Sequence, residues 1–205
     1  MGLRSRFFAL TYDRQLAKVE RAGLGELRHR LVETASGRVL EIGTGTGANL
    51  DHYGPAVESL TLTEPEQPML RRLEPRVRER APHATVLRAP AEDLPFDDGS
   101  FDTVVSTLVL CGVSDQPRAL REVRRVLRPG GRLIFVEHVR SDDPKLARLQ
   151  DRMNGLNRFM VCCECNRPTL DSMKEAGFRI DEVEHSKLQK VPRFVRPLIA
   201  GTATI

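Results

Sequence analysis

The stretch Val39-Leu-Glu-Ile-Gly43-Thr-Gly45-Thr-Gly47-Ala-Asn49-Leu50 decides the fold. A short apolar run with strand character leads straight into three alternating glycines, and a helical pattern follows. Glycine suits such a turn because the backbone bends tightly and a ligand can approach it without meeting a Cβ. Glu64 closes the next apolar run, 21 residues after Gly43. A carboxylate at that place accepts hydrogen bonds from the ribose hydroxyls of a nucleotide.

These features leave several readings open. Gly43-x-Gly45-x-x-Ala48 satisfies the dinucleotide fingerprint, so an NAD-dependent oxidoreductase stays in play, as does a tight turn with no ligand. Glu41 separates them. An acid inside an apolar strand is costly without a partner. A cationic α-amino group would supply one. S-adenosylmethionine carries such a group beside its ribose, and NAD does not.

Working outward, short β-branched runs alternate with helical patterns. The runs are Arg38–Ile42, Ser59–Thr63, Thr85–Leu87, Phe101–Thr107 and Arg132–Val136. Their near-continuous apolar character fits parallel strands buried on both faces. The clearest helix is Ala119 to Arg128, where Leu120, Val123, Val126 and Leu127 form one stripe. Asp115 and Pro117 favour its start, and Pro129-Gly130-Gly131 stops it. Phe178–Val183 and Leu198–Ile205 then read as a pair joined antiparallel at one edge. The expected fold is a single Rossmann-like, doubly wound α/β sheet with helices on both faces. It has seven strands, mostly parallel, with an antiparallel edge strand.

Length and composition agree with one domain. At 205 residues, 40% hydrophobic and 29% charged, the chain is large enough for a core and too mixed for disorder. The net charge of +4 is spread with both signs interleaved, so nucleic acid is not implied. No run is long and apolar enough for a membrane span or signal peptide, which points to a cytoplasmic protein. Arg4, Arg6, Phe7 and Phe8, with Lys187, Lys190, Arg193 and Arg196, offer at most weak peripheral contact with an anionic membrane.

Val-Leu-Glu-Ile-Gly-Thr-Gly-Thr-Gly resembles the first motif of class I S-adenosylmethionine-dependent methyltransferases. Three later segments follow in that family's order and spacing. Ala91-Glu92-Asp93-Leu94-Pro95-Phe96 resembles the adenine loop, and Ser100-Phe-Asp102-Thr-Val-Val-Ser106 the fourth strand. Glu122 to Leu133 resembles the helix, turn and fifth strand. One departure is Pro75, which is expected to shorten or kink the helix after the second strand. Ser106–Val113, Val136-Glu-His138-Val and Cys163-x-x-Asn166-Arg167-x-Thr169 are similar to a subgroup that includes alkyl-thiol S-methyltransferases. Asn49 and the Tyr12-Asp13 pair also match that subgroup. Its animal members carry an N-terminal membrane anchor that does not appear here, and bacterial relatives include phospholipid and quinone methyltransferases.

The resemblance implies S-adenosylmethionine as cofactor. Glu41 would hold its amino group, Gly43, Gly45 and Gly47 the close turn, and Glu64 the ribose. Glu92 and Asp93 would flank the adenine, while Tyr12, Asn49 and Ser106 complete the cofactor site. The acceptor is expected to be a small, fairly apolar molecule, a thiol first, with a lipid or quinone as alternative. A thiol is the easiest acceptor because a few per cent is already ionised at neutral pH. His138, at the carboxyl end of the fifth strand, is the candidate base, or else a histidine that only bonds a nearby loop. Glu137 reads as structural or as a partner to His138. Cys163, Asn166 and Arg167 are assigned to the acceptor side. Cys162-x-x-Cys165 has the spacing of half a zinc site, but no second pair follows, so no metal is expected.

The expected organisation is a helical cap over 1–37, a cofactor core over 38–138, a lid over 139–168, and a helix with a strand pair over 169–205. In the lid, Leu146, Leu149, Met153, Leu156 and Met160 form an apolar stripe read as covering an acceptor pocket. No obligate protein partner is evident.

Overall fold

A computed structural model describes residues 16–205. Tyr12, Asp13, Arg4, Arg6, Phe7 and Phe8 lie outside the described residues. Seven strands form one sheet in the order β3-β2-β1-β4-β5-β7-β6. They are β1 (Gly37–Ile42), β2 (Val57–Thr63), β3 (Thr85–Leu87), β4 (Phe101–Thr107), β5 (Leu127–His138), β6 (Arg179–Lys187) and β7 (Pro197–Thr204). The first five are parallel. The expected antiparallel pair closes one edge, with β7 as the reversed strand, lying between β5 and the outer strand β6.

Strand order reverses at β1, whose neighbours are β2 on one side and β4 on the other. A crevice opens there beyond the strands' carboxyl ends, where open α/β sheets bind ligands. The helices are α1 (Gly25–Val32), α2 (Gln67–Arg80), α3 (Gln116–Val126), α4 (Pro144–Val161) and α5 (Thr169–Glu175). A π-helical turn, Glu20–Leu24, leads into α1, and Gly23 at φ +119° interrupts the helical geometry there.

Alternation along the strands divides the core. Leu40, Ile42, Val104, Leu133 and Phe135 face α3 and α5, while Val39, Val105 and Ile134 face Val32 of α1 and Ala35 beyond it. The α3 stripe is fully buried at Ala119, Leu120, Val123 and Val126. Burial of each of its larger side chains contributes about 1.5–3 kcal/mol. Asp115 caps the helix by accepting from the Arg118 N–H at 2.9 Å. The helix ends earlier than its sequence suggests. Leu127 is already extended and begins β5, so Pro129-Gly130-Gly131 lies past the junction.

Pro75 does not shorten α2, which runs on to Arg80. It sits on the solvent side, away from the buried Met69, Leu70, Leu73 and Val77, where water can meet the carbonyl its ring leaves unpaired. The α4 stripe is also placed differently from expectation. Leu149, Leu156 and Met160 are exposed, and the buried positions include the polar Gln150 and Asn157. Gln150 donates to Val139 O and Cys165 O and accepts from Ser141 N–H; Asn157 donates to Cys163 O. Backbone groups of the segments before and after the helix thus hold it through amides, and its apolar side turns outward. No helix of the described residues is long and apolar enough to cross a membrane.

Candidate active site

A cleft of about 740 Å³ opens at the switch point between β1 and β4. One wall is Gly43, Gly45, Glu64 and Met69, another Pro90 to Glu92. Gly43 has φ +56°, and a Cβ there would stand 2.7 Å from Val109, a cleft residue that would have to move. Gly47, also left-handed, packs on Leu50 and Leu73, so its lack of a side chain serves the core rather than the cleft.

Glu64 brings a carboxylate to the crevice. Its Oε2 accepts from Gly45 N–H and its Oε1 from Glu66 N–H, both at 2.9 Å. Burial pushes this carboxyl up, against the pull of those two donors. Glu92 also lines the cleft and accepts from the Ser114 N–H at 2.6 Å, tying the loop after β3 to the one before α3. Asp93 is exposed and is not part of the cleft wall.

Glu41 has a different surrounding from the one its sequence suggests. It lies 1% exposed behind the glycine turn and does not line the cleft. Its Oε1 accepts from Asn49 Nδ2 at 3.0 Å and its Oε2 from the Tyr53 hydroxyl. Asn49 Oδ1 accepts in turn from Arg28, which also reaches Thr107 and Glu20. The acid's cost is therefore met by protein groups, and Arg28, Tyr53 and Thr107 were not legible as its partners. An arginine on a separate N-terminal helix carries no local signal of that contact.

Burial pushes the Glu41 carboxyl from 4.5 to about 7, with Tyr53 and Arg28 pulling the other way. The folded protein keeps a proton there that the unfolded chain gives up above its lower pKa. Stability from this group is therefore full below pH 4.5 and is lost as pH rises through about 7. Glu41→Gln cannot ionise, so its melting temperature relative to wild type should climb between about pH 5 and pH 8. A pH-independent difference in thermal melts would contradict this.

Ser106 and Glu137 form a second buried pair. Glu137 Oε1 accepts from the Ser106 hydroxyl at 2.7 Å and from Val109 N–H at 3.0 Å. Burial raises the Glu137 carboxyl against these donors. The pair braces the loop after β4 from beneath, and neither residue lines the cleft.

His138 does reach the cleft, where Cys111 and Cys163 join it. Its Nδ1 lies 3.5 Å from Cys111 Sγ and 3.3 Å from Cys163 Sγ, while Nε2 is buried with no hydrogen-bond partner among the described residues. Contact with Cys163 and burial push the Cys111 thiol well above its ordinary range. Beyond this corner the cleft is apolar, with Leu16, Val19, Leu24, Leu188, Val191 and Val195. Asn166 and Arg167 are not brought to it. Asn166 donates to Asp151, and Arg167 donates to Leu110 O and Val113 O at 2.7 Å while pairing with Glu164. Arg167 holds the cysteine loop against the loop after β4, and Asn166 ties it to α4.

Cleft and donors suit a nucleoside cofactor: backbone at Gly43 and Gly45, a carboxylate at the end of β2, and apolar surface at Met69, Ala91 and Val113. A fold and crevice of this kind fit the class of enzymes that bind a nucleoside-bearing cofactor at the switch point of an open α/β sheet. A family model described as a methyltransferase domain matches residues 40–135. Human thiol S-methyltransferase TMT1A is 32% identical over 202 residues, covering 96% of this chain and 82% of the relative. Phosphatidylethanolamine N-methyltransferase of Cereibacter sphaeroides is 35% identical over 130 residues, 62% of each chain. Among solved structures, an S-adenosylmethionine-dependent methyltransferase of Thermotoga maritima, described as a possible histamine N-methyltransferase, has a TM-score of 0.71. It is 27% identical and covers 100% of this chain and 99% of its own.

The chain belongs to the class I S-adenosylmethionine-dependent methyltransferases, close to the TMT1 group. It is a methyltransferase whose methyl donor is S-adenosylmethionine, and the oxidoreductase alternative falls away.

Proposed function

We propose that the protein methylates the sulfur of a small, fairly apolar thiol. The observation that carries this reading is the apolar wall ending at His138, Cys111 and Cys163 on the carboxyl edge of the sheet. The similarity to a thiol S-methyltransferase along nearly the whole chain supports it.

When bound, S-adenosylmethionine supplies a methyl group already activated on a sulfonium, so the chain's task is placement and proton removal. Glu64 would accept hydrogen bonds from the ribose, with its carboxylate held by Gly45 and Glu66. Gly43 and Gly45 would present bare backbone to the donor, and Glu92, bonded to Ser114 N–H, would fix the loop beside the adenine. Glu41 and Asn49 act behind the turn as positioning residues, as Ser106 and Glu137 do behind the loop after β4. The apolar wall takes the acceptor's chain and excludes water. His138 receives the thiol proton, directly or through the adjacent sulfurs.

An apolar wall makes a graded demand on the acceptor. Each added methylene of an n-alkanethiol series should lower KM about 3- to 4-fold until the wall is filled, since burying a CH₂ is worth about 0.8 kcal/mol. Steady-state kinetics with such a series test this. A KM indifferent to chain length contradicts an apolar acceptor site.

A second reading, transfer to a lipid headgroup, draws on the phosphatidylethanolamine methyltransferase relative and on the exposed Leu156, Phe159 and Met160 of α4, which suit a lipid surface.

A further inference from the structure

Cys111, His138 and Cys163 come from three separate places: the loop after β4, the end of β5, and the loop after α4. They are 2%, 7% and 7% exposed. Both sulfurs approach one nitrogen, His138 Nδ1, at 3.5 and 3.3 Å. An imidazole nitrogen has either one lone pair or one proton, so it satisfies one thiol well and not two. The separations fit a different arrangement. Zinc bonds of about 2.3 Å to sulfur and 2.0–2.1 Å to nitrogen, at tetrahedral angles, place sulfur and nitrogen about 3.5 Å apart. All three donor atoms lie within 4.8 Å of one another.

We propose that Cys111, Cys163 and His138 form a three-ligand site for a soft divalent cation, zinc, whose fourth position opens on the cleft. Two thiolates and one imidazole select such an ion over harder cations. With two thiolate charges, a bound Zn²⁺ leaves the cluster neutral, which suits the apolar packing from Val161 and Phe194. All three ligands line the cleft, and three protein ligands with one free position is the arrangement of reactive rather than structural zinc. The pair that the CxxC spacing suggests is not the one assembled, since Cys162 is exposed.

Binding releases two thiol protons to solvent. An acceptor thiol entering the fourth position releases its own proton to solvent through the open cleft and presents a sulfur lone pair to the donor methyl. A new carbon–sulfur bond then forms as the sulfonium carbon–sulfur bond breaks. His138 is in that case a ligand and not the base. This role of the open position rests on the thiol reading above, whereas the cation site itself does not.

Protein stripped with a chelator and titrated with Zn²⁺ against a chromophoric competitor should bind about one equivalent. Titration with Co²⁺ should give near-ultraviolet thiolate-to-metal absorption and the visible bands of a tetrahedral ion. Cys111→Ser, Cys163→Ser and His138→Ala should each weaken Zn²⁺ binding by roughly two orders of magnitude. Cys162→Ser should bind as wild type. Absence of stoichiometric Zn²⁺, or wild-type affinity in both Cys111→Ser and Cys163→Ser, overturns the site. Should those variants fail to fold, the wild-type Co²⁺ spectrum decides alone, and a spectrum without thiolate bands overturns it. Adding an n-alkanethiol should then shift the Co²⁺ bands; an unchanged spectrum overturns the open position. Full thiol methylation by metal-free protein would leave the proposed activity standing and remove the cation from it.

Discussion

Glu64→Ala should raise the dissociation constant for S-adenosylmethionine roughly 100-fold while the fold persists. The carboxylate accepts from Gly45 N–H and Glu66 N–H and faces the cleft with what remains of its capacity. Hydrogen bonds to a charged group contribute about 1.5–3 kcal/mol each, and about 2.8 kcal/mol corresponds to a hundredfold change. Alanine removes the proposed ribose acceptor and frees the turn that Gly45 anchors. Glu64→Gln should recover little, because one carboxylate oxygen becomes an NH₂ that faces a backbone N–H, donor against donor. Calorimetric titration reads both variants. An alanine variant within a few-fold of wild type removes Glu64 from the cofactor site.

Arg28→Met should cost about 2–3 kcal/mol of stability, chiefly from the buried amide oxygen it leaves without a donor. Arg28 is 2% exposed and reaches Asn49, Thr107 and Glu20. Methionine matches much of its length but leaves Glu20 without its ion-pair partner and Asn49 Oδ1 without a donor. Asn49 also steadies Glu41, so the loss extends to the glycine turn. Urea unfolding measures it. A loss under about 1 kcal/mol would show that the network is not coupled in this way.

Where the fold was readable, local chemistry and packing agreed. The strand-to-glycine turn, the acid after β2 and the capped, striped α3 each carry a pattern that also serves the final structure. Errors arose where tertiary contacts outweigh local pattern. The α4 stripe reads as a buried face because leucine and methionine recur at helical spacing. Gln150 and Asn157, two amides with no periodic signal, turn it over by bonding the backbone carbonyls of Val139 after β5 and of Cys163 and Cys165 in the cysteine loop. Likewise Glu41, an acid in an apolar strand, does need partners, and they are Tyr53 and Asn49. The meeting of Cys111, Cys163 and His138 was hidden for the same reason. Their spacing in sequence contains nothing of the three loops that bring them together, while the conspicuous Cys162-x-x-Cys165 spacing points elsewhere.

Methyl transfer from isotopically labelled S-adenosylmethionine to a panel containing an n-alkanethiol, a phenol and phosphatidylethanolamine vesicles is the most direct test of the account. Label on the thiol sulfur, identified by mass spectrometry and matched mole for mole by S-adenosylhomocysteine, is the predicted result. Label confined to the phosphatidylethanolamine headgroup would contradict it.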